Sequence, residues 1–118
     1  MITHEINNEL RYMIDAARYL AREYDEQYLE MEWFARWDLA EEIGLGWIDA
    51  KGIIFSENLA KAVSAEAIQI VKEILNRFEN AFDNREKESI WTDDAMRNHP
   101  FWKKQREMAK QFLNIVGA

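Results

Sequence analysis

Residues 59–82, LAKAVSAEAIQIVKEILNRFENAF, decide the fold class. Leu59, Val63, Ala67, Ile70, Val71, Ile74, Leu75, Phe78 and Phe82 recur at spacings of three and four. That spacing lays one apolar stripe along a long helix. Charged and polar residues fill the opposite side, as on a helix with one face in a core. Ser56 supplies the N-cap. Ser64 interrupts the run, but position 67 is Ala rather than Glu or Gln, so no capping box marks a restart. One continuous helix is therefore predicted from Ser56 onward.

On the C-terminal side, Asp83–Glu88 is charged and reads as a connector. Ile90 and Trp91 are apolar anchors before Thr92, an N-cap for a short helical turn over Asp93–Arg97. Pro100 fits the first position of a last helix. Phe101, Met108, Ala109, Phe112, Leu113 and Val116 supply its buried face, and Gly117 ends it.

On the N-terminal side, Thr3 caps a first helix with a stripe at Ile6, Leu10, Met13, Ile14, Ala17, Leu20, Ala21, Tyr24 and Tyr28. A bend is expected near Asp25-Glu26, because a straight helix from there to Gly44 and back to Thr3 would span about 60 Å. Gly44 and Gly46 read as its stop. Trp47-Ile48 and Ile53-Ile54-Phe55 then flank Asp49-Ala50-Lys51-Gly52. Two short β-prone runs around a turn ending in Gly suggest a hairpin, with an irregular loop pinned by its apolar residues as the alternative. The expected fold is all-α: an antiparallel bundle of about four main helices, with a short β-hairpin-like insertion near residues 47–55, in a single helical domain over residues 1–118. Leu10, Ala17, Ile70, Ile74, Phe78 and Phe112 are its expected core.

Composition supports a real core. Of 118 residues, 48% are apolar and five are Trp. A chain of this length buries roughly two-thirds of its unfolded surface. Cysteine is absent, which removes disulfides and thiolate chemistry. The start Met1-Ile2-Thr3-His4-Glu5 has no basic, apolar leader pattern, and the longest uncharged run is Gln111–Ala118. A cytoplasmic protein with no membrane contact is expected.

Charge is distributed unevenly. Glu23, Asp25, Glu26, Glu30, Glu32, Asp38, Glu41 and Glu42 face a single base, Arg36, within residues 23–42. Eight acids less one base is −7, the net charge of the whole chain, so the remaining 14 acids and 14 bases balance. Residues 97–110 have the opposite sign, with Arg97, Lys103, Lys104, Arg106 and Lys110 against Glu107. Direct binding to nucleic acid is not expected of this balance, because phosphate neutralisation needs Lys and Arg. Mimicry of nucleic acid toward a basic partner stays open.

Catalytic chemistry has little to work with. His4 and His99 have no Ser or Cys partner by motif, and Gly-x-Ser-x-Gly is absent. His99 precedes Pro100, where a structural role at a helix start fits better. Gly44-Leu45-Gly46 lacks the third glycine and the strand context of a dinucleotide fingerprint. Zinc needs Cys or clustered His. Glu23-Tyr24-Asp25-Glu26 resembles the first half of the paired-carboxylate motif of all-α nucleotide pyrophosphohydrolases, whose Glu-x-x-Glu precedes a Glu-x-x-Asp on the next helix. That resemblance implies Mg²⁺ held by carboxylates. The second half is missing, since Glu79 and Asp83 are four apart. No catalytic residue, metal ligand or cofactor is assigned.

The acidic window is the candidate site. Its aromatics are Trp33, Phe34 and Trp37. On a continuous helix Leu29, Trp33, Trp37, Ala40 and Ile43 share one face, so the tryptophans fit either a core or an interface. Phe34 falls among Glu30, Asp38 and Glu41, an apolar ring amid acids that suits an interface centre. The partner-binding set is Glu30, Phe34, Trp37, Asp38 and Glu41. The leading expectation is a small acidic module that occupies a basic surface of a macromolecular partner, as an inhibitor, immunity or anti-defence protein of a bacterium or phage does. The alternatives are a self-assembling helical subunit, in which the acidic window of one copy meets residues 97–110 of another, and a carboxylate–Mg²⁺ nucleotide hydrolase. Far-ultraviolet circular dichroism should report more than ~60% helix, and a sheet-dominated spectrum would overturn the fold class.

Overall fold

The computed structural model describes residues 7–84 and 89–118. Helices cover 82% of them and no strand occurs among them. The all-α expectation holds. The hairpin does not, and its failure has a clear physical cause.

Helix α1 (Asn8–Leu20) is capped by Asn7, whose side chain accepts from the Leu10 amide at 2.9 Å. The cap assigned to Thr3 lies outside the described residues, as do His4 and Ile6. Met13, Ala17 and Leu20 are fully buried along one stripe. The helix ends at Leu20, a few residues before the expected bend, and α2 (Tyr24–Glu30) follows. Gln27 fixes this corner from inside. Its buried amide donates to the Tyr19 and Leu20 carbonyls, both at 3.2 Å; the Tyr19 carbonyl also accepts from the Arg22 amide, whereas the Leu20 carbonyl is one that the helix end would orphan. The Tyr19 hydroxyl returns a bond to the Gln27 carbonyl at 2.5 Å.

A 3₁₀ helix (Trp33–Asp38) comes next and buries none of its side chains. It leads into α3 (Leu39–Asp49), which runs straight through Gly44 and Gly46. Neither glycine stops the chain. Gly44 is buried, and a Cβ there would stand 2.8 Å from the Phe82 ring and 3.3 Å from the rings of Phe78 and Trp91. The glycine is a contact requirement for packing α3 on α6, not a turn signal. The supposed hairpin is the end of α3 followed by α4 (Lys51–Ile54). Leu39, Ile43, Trp47, Ala50 and Ile54 are all buried. Their spacings of four, four, three and four are helical, and they bury one side against the core where a two-stranded ribbon would have no third strand.

Ser56 caps α5 (Glu57–Ala62) as expected, accepting from the Leu59 amide at 3.2 Å. The helix then breaks. Val63 and Ser64 are extended, and Ser64 caps α6 (Ala65–Asp83) by accepting from the Ala67 amide at 3.2 Å. The uninterrupted helix read from residue 59 is thus two helices, and the hydroxyl alone suffices without a capping-box partner. The break lets α5 pack on α1 while α6 packs on α8 and α3.

Of the expected connector Asp83–Glu88, Asp83 still belongs to α6 and residues 85–88 lie outside the described residues; from Ile90 onward the reading holds closely. Thr92 caps α7 (Asp93–Asn98), Pro100 opens α8 (Pro100–Val116), and Gly117 closes it with φ 75°. His99 caps α8 through Nδ1, which accepts from the Phe101 amide at 3.0 Å, so its role is structural. The fully buried Trp102 lies at the hub of the aromatic core, 5.6 Å from Phe78 and 5.5 Å from Phe101 between ring centres. Its indole N–H donates to the Ile90 carbonyl at 2.7 Å, which gives the polar end of the ring a partner. Ala17, Ile74, Phe78 and Phe112 are fully buried, whereas Leu10 and Ile70 are half-buried against the same cluster.

The two α3 glycines separate packing from propensity. Gly46 has no heavy atom within 4 Å of an added Cβ. Gly46→Ala should stabilise by about 0.5–1 kcal/mol through helix propensity. Gly44→Ala should instead destabilise by about 1–3 kcal/mol, because the crowded rings have to shift. Denaturant unfolding of both variants checks the pair, and a stabilised Gly44→Ala protein would refute the close-approach account.

Candidate functional site

The acidic window folds as three elements rather than one helix, and this decides what it exposes. Helix α2 ends at Glu30, and Met31 and Glu32 are extended. Arg36 reaches back across the break. Its Nε donates to the Met31 carbonyl at 3.1 Å and a terminal nitrogen donates to the Leu29 carbonyl at 3.0 Å. The guanidinium plane lies 4.8 Å from the Tyr28 ring centre. Arg36 therefore closes the end of α2 and docks the 3₁₀ segment onto it.

In a 3₁₀ helix residues three apart eclipse one another. Trp33 aligns with Arg36, and Phe34 with Trp37. The result is an aromatic platform standing in solvent. Trp33 is 72% exposed, Phe34 63% and Trp37 85%, with Leu29 beside them at 71%. The wheel that grouped Leu29, Trp33 and Trp37 with Ala40 and Ile43 fails because no continuous helix carries them. Ala40 and Ile43 are buried in α3, and the other three are not.

The five residues assigned to partner binding fall on three elements. Glu30 ends α2, exposed and paired with Arg22 in the corner after α1. Phe34, Trp37 and Asp38 belong to the 3₁₀ helix and are exposed. Glu41 lies in the first turn of α3 and is half-buried. The exposed centre is thus the 3₁₀ segment. Sequence reasoning grouped Leu29 with the tryptophans but missed Tyr28 and Asp93 as neighbours of this surface. The break at Met31-Glu32 is the reason, and no Gly or Pro marked it.

Part of the acidity is neutralised within the fold. Arg106 of α8 sits 3.4 Å from Glu23, and Arg97 of α7 sits 3.3 Å from Asp25. Arg106 is itself 5% exposed and donates to the Met96 carbonyl at 2.7 Å. Arg97 also covers the Tyr24 ring at 4.5 Å. Glu26, Glu32, Asp38 and Glu42 make no ion pair among the described residues. Of these, Glu32 and Asp38 bracket the exposed aromatics in sequence.

A groove runs along this face between α2, the 3₁₀ helix and α7. One part, about 440 Å³, is lined by Tyr28, Trp33, Arg36, Trp37 and Asp93. The other, about 390 Å³, shares Tyr28 and Asp93 and continues past Tyr24, Leu29 and Arg97. Among the described residues no three His, Asp or Glu side chains converge to hold a metal ion. Two carboxylates of the Glu-x-x-Glu segment, Glu23 and Asp25, are engaged by arginines instead. No helix among the described residues is long and apolar enough to cross a membrane.

Compared with known proteins, the chain matches no family model, no curated protein and no solved structure.

Two tyrosines of the corner carry raised pKa values. Burial pushes Tyr24 up to about 12, aided by a hydrogen bond to Asp93 and by that carboxylate's charge. Burial likewise pushes Tyr19 up to about 12 against the opposing charges of Arg22 and Arg36, and its bond to the Gln27 carbonyl needs the protonated phenol. Both groups are held neutral in the folded state. Their contribution to stability is complete below about pH 10, the ordinary tyrosine value, and is lost as pH rises toward 12. Ultraviolet titration should show two phenols ionising near pH 12, and Tyr24→Phe should remove one of them. Complete tyrosine ionisation by pH 11 in the folded protein would contradict this geometry.

Proposed function

We propose that this chain is an acidic protein-binding module that presents the platform of Trp33, Phe34 and Trp37 to a basic surface on a macromolecular partner. The observation that carries this reading is the exposure of three aromatic side chains within a six-residue 3₁₀ helix, with Glu32 and Asp38 bracketing them in sequence. Exposed apolar patches with a polar rim mark interaction sites. Aromatic side chains at the centre of such a patch supply most of the binding energy, and surrounding charges speed encounter with a partner of opposite sign. Such a module acts in the cytoplasm by covering a surface, as inhibitors, immunity proteins and anti-defence proteins do. The self-assembly alternative loses part of its support. Two of the bases it needs in residues 97–110, Arg97 and Arg106, are engaged inside the fold.

The exposed residues make a clean test. Phe34→Asp and Trp37→Asp should change stability by no more than about 0.5 kcal/mol, as surface substitutions do. Each should weaken capture of the partner from host extract at least tenfold, a loss of about 1.4 kcal/mol or more. Asp38→Lys should slow association, with the effect shrinking as salt rises above about 0.15 M. A partner that binds the aspartate variants as well as wild type would overturn the reading. A wild-type chain that forms salt-sensitive dimers through this face would favour self-assembly.

A further inference from the structure

The groove beside the platform shows a repeated pattern with one place left open. Arg97 stacks on Tyr24 at 4.5 Å, and Arg36 stacks on Tyr28 at 4.8 Å. Each guanidinium is also gripped by oxygens. Asp25 binds Arg97 at 3.3 Å, and two backbone carbonyls bind Arg36. Trp33 and Trp37 are the next rings along the groove. They are the two most exposed aromatics of the surface, and no cation of the described chain lies over either. Asp93 lines the groove at the same point. The unpaired Glu32 and Asp38 flank the tryptophans in sequence.

We propose that this place takes an arginine side chain of the basic partner, its guanidinium plane on the indole of Trp37 and its N–H groups on the Asp93 carboxylate. This rests on the basic-partner reading and names the chemistry that the partner must deliver. Indole is the strongest of the aromatic faces for a cation. Arginine suits it better than lysine, because guanidinium is planar, weakly hydrated and matched to a carboxylate. The volume of about 440 Å³ admits a side chain of that size. Arg36 does not fill the place. Its face lies on Tyr28, and its donors bind the α2 carbonyls. Its charge is matched in the groove lining by Asp93, and Glu32 and Asp38 adjoin the tryptophans in sequence, so the tryptophan faces remain open to a cation.

The full chain can be titrated with a short oligoarginine peptide and an oligolysine peptide of equal length and charge. Indole N–H resonances report which tryptophan moves. The arginine peptide should bind at least about threefold more tightly, the size of one exposed cation–π contact. It should shift Trp33 and Trp37 while leaving the buried Trp47 and Trp102 in place. Trp37→Leu should reduce the arginine affinity to that of lysine, and Asp93→Asn should weaken arginine more than lysine. Both variants should keep the wild-type circular dichroism. Equal binding of the two peptides, with salt-sensitive affinity, would overturn the arginine site while leaving the basic-partner reading intact. Binding that ignores Trp37→Leu, or no binding of either peptide, would also overturn the site, and capture by the aspartate variants would then decide the broader reading alone.

Discussion

The buried amide of Gln27 is the constraint from which the exposed aromatic face follows. An amphipathic stripe that runs from α1 toward α2 would otherwise continue as one rod. Gln27 instead satisfies the last carbonyls of α1 and holds the chain in a corner. Leaving the buried Leu20 carbonyl unpaired would cost about 1–3 kcal/mol. Once the corner is set, α2 lies against α7. Glu23 then meets Arg106, and Asp25 and Tyr24 meet Arg97. The position of the 3₁₀ helix is a consequence of these contacts and of Arg36.

This arrangement sorts the charges. The acidic window and the basic C-terminal stretch look complementary along the chain, and full internal neutralisation would have been the economical outcome. The fold uses only the acids nearest the corner in that way. Those farther along surround aromatic side chains that no other part of the described chain covers. Exposed ion pairs such as Arg97–Asp25 contribute only about 0–1 kcal/mol each. Their main effect is on orientation, since they hold guanidinium groups against tyrosine faces and leave the tryptophan faces open.

The sequence made the long helices legible because periodicity and capping agree there. Ser56, Thr92, Pro100 and Gly117 do what their chemistry dictates. The errors come from residues whose role is set by a distant neighbour. Gly44 reads as punctuation until the rings of Phe82 and Trp91 are seen against it. Trp47 and Ile54 look β-prone in isolation, yet their spacing from Ile43 and Ala50 is helical. Ser64 shows that a cap can act without its usual partner. At the candidate site, the acids and aromatics are visible in the sequence and Phe34 is expected at the surface, but the exposure of Trp33 and Trp37 stays open there between core and interface. The break that exposes them depends on Arg36 and on carbonyls it finds only in the folded chain.

The unpaired carboxylates beside the platform also bear on how the protein behaves in crowded solution. Three large rings in water invite copies to stick to one another, and the like charges around them supply the repulsion that keeps such copies apart. The barrier is electrostatic and the attraction is not, so the two respond differently to the medium. Added salt screens the barrier while the rings remain, whereas a cation bound at the site would remove it only there and cover the rings. The acids beside the rings thus work against self-association through that surface.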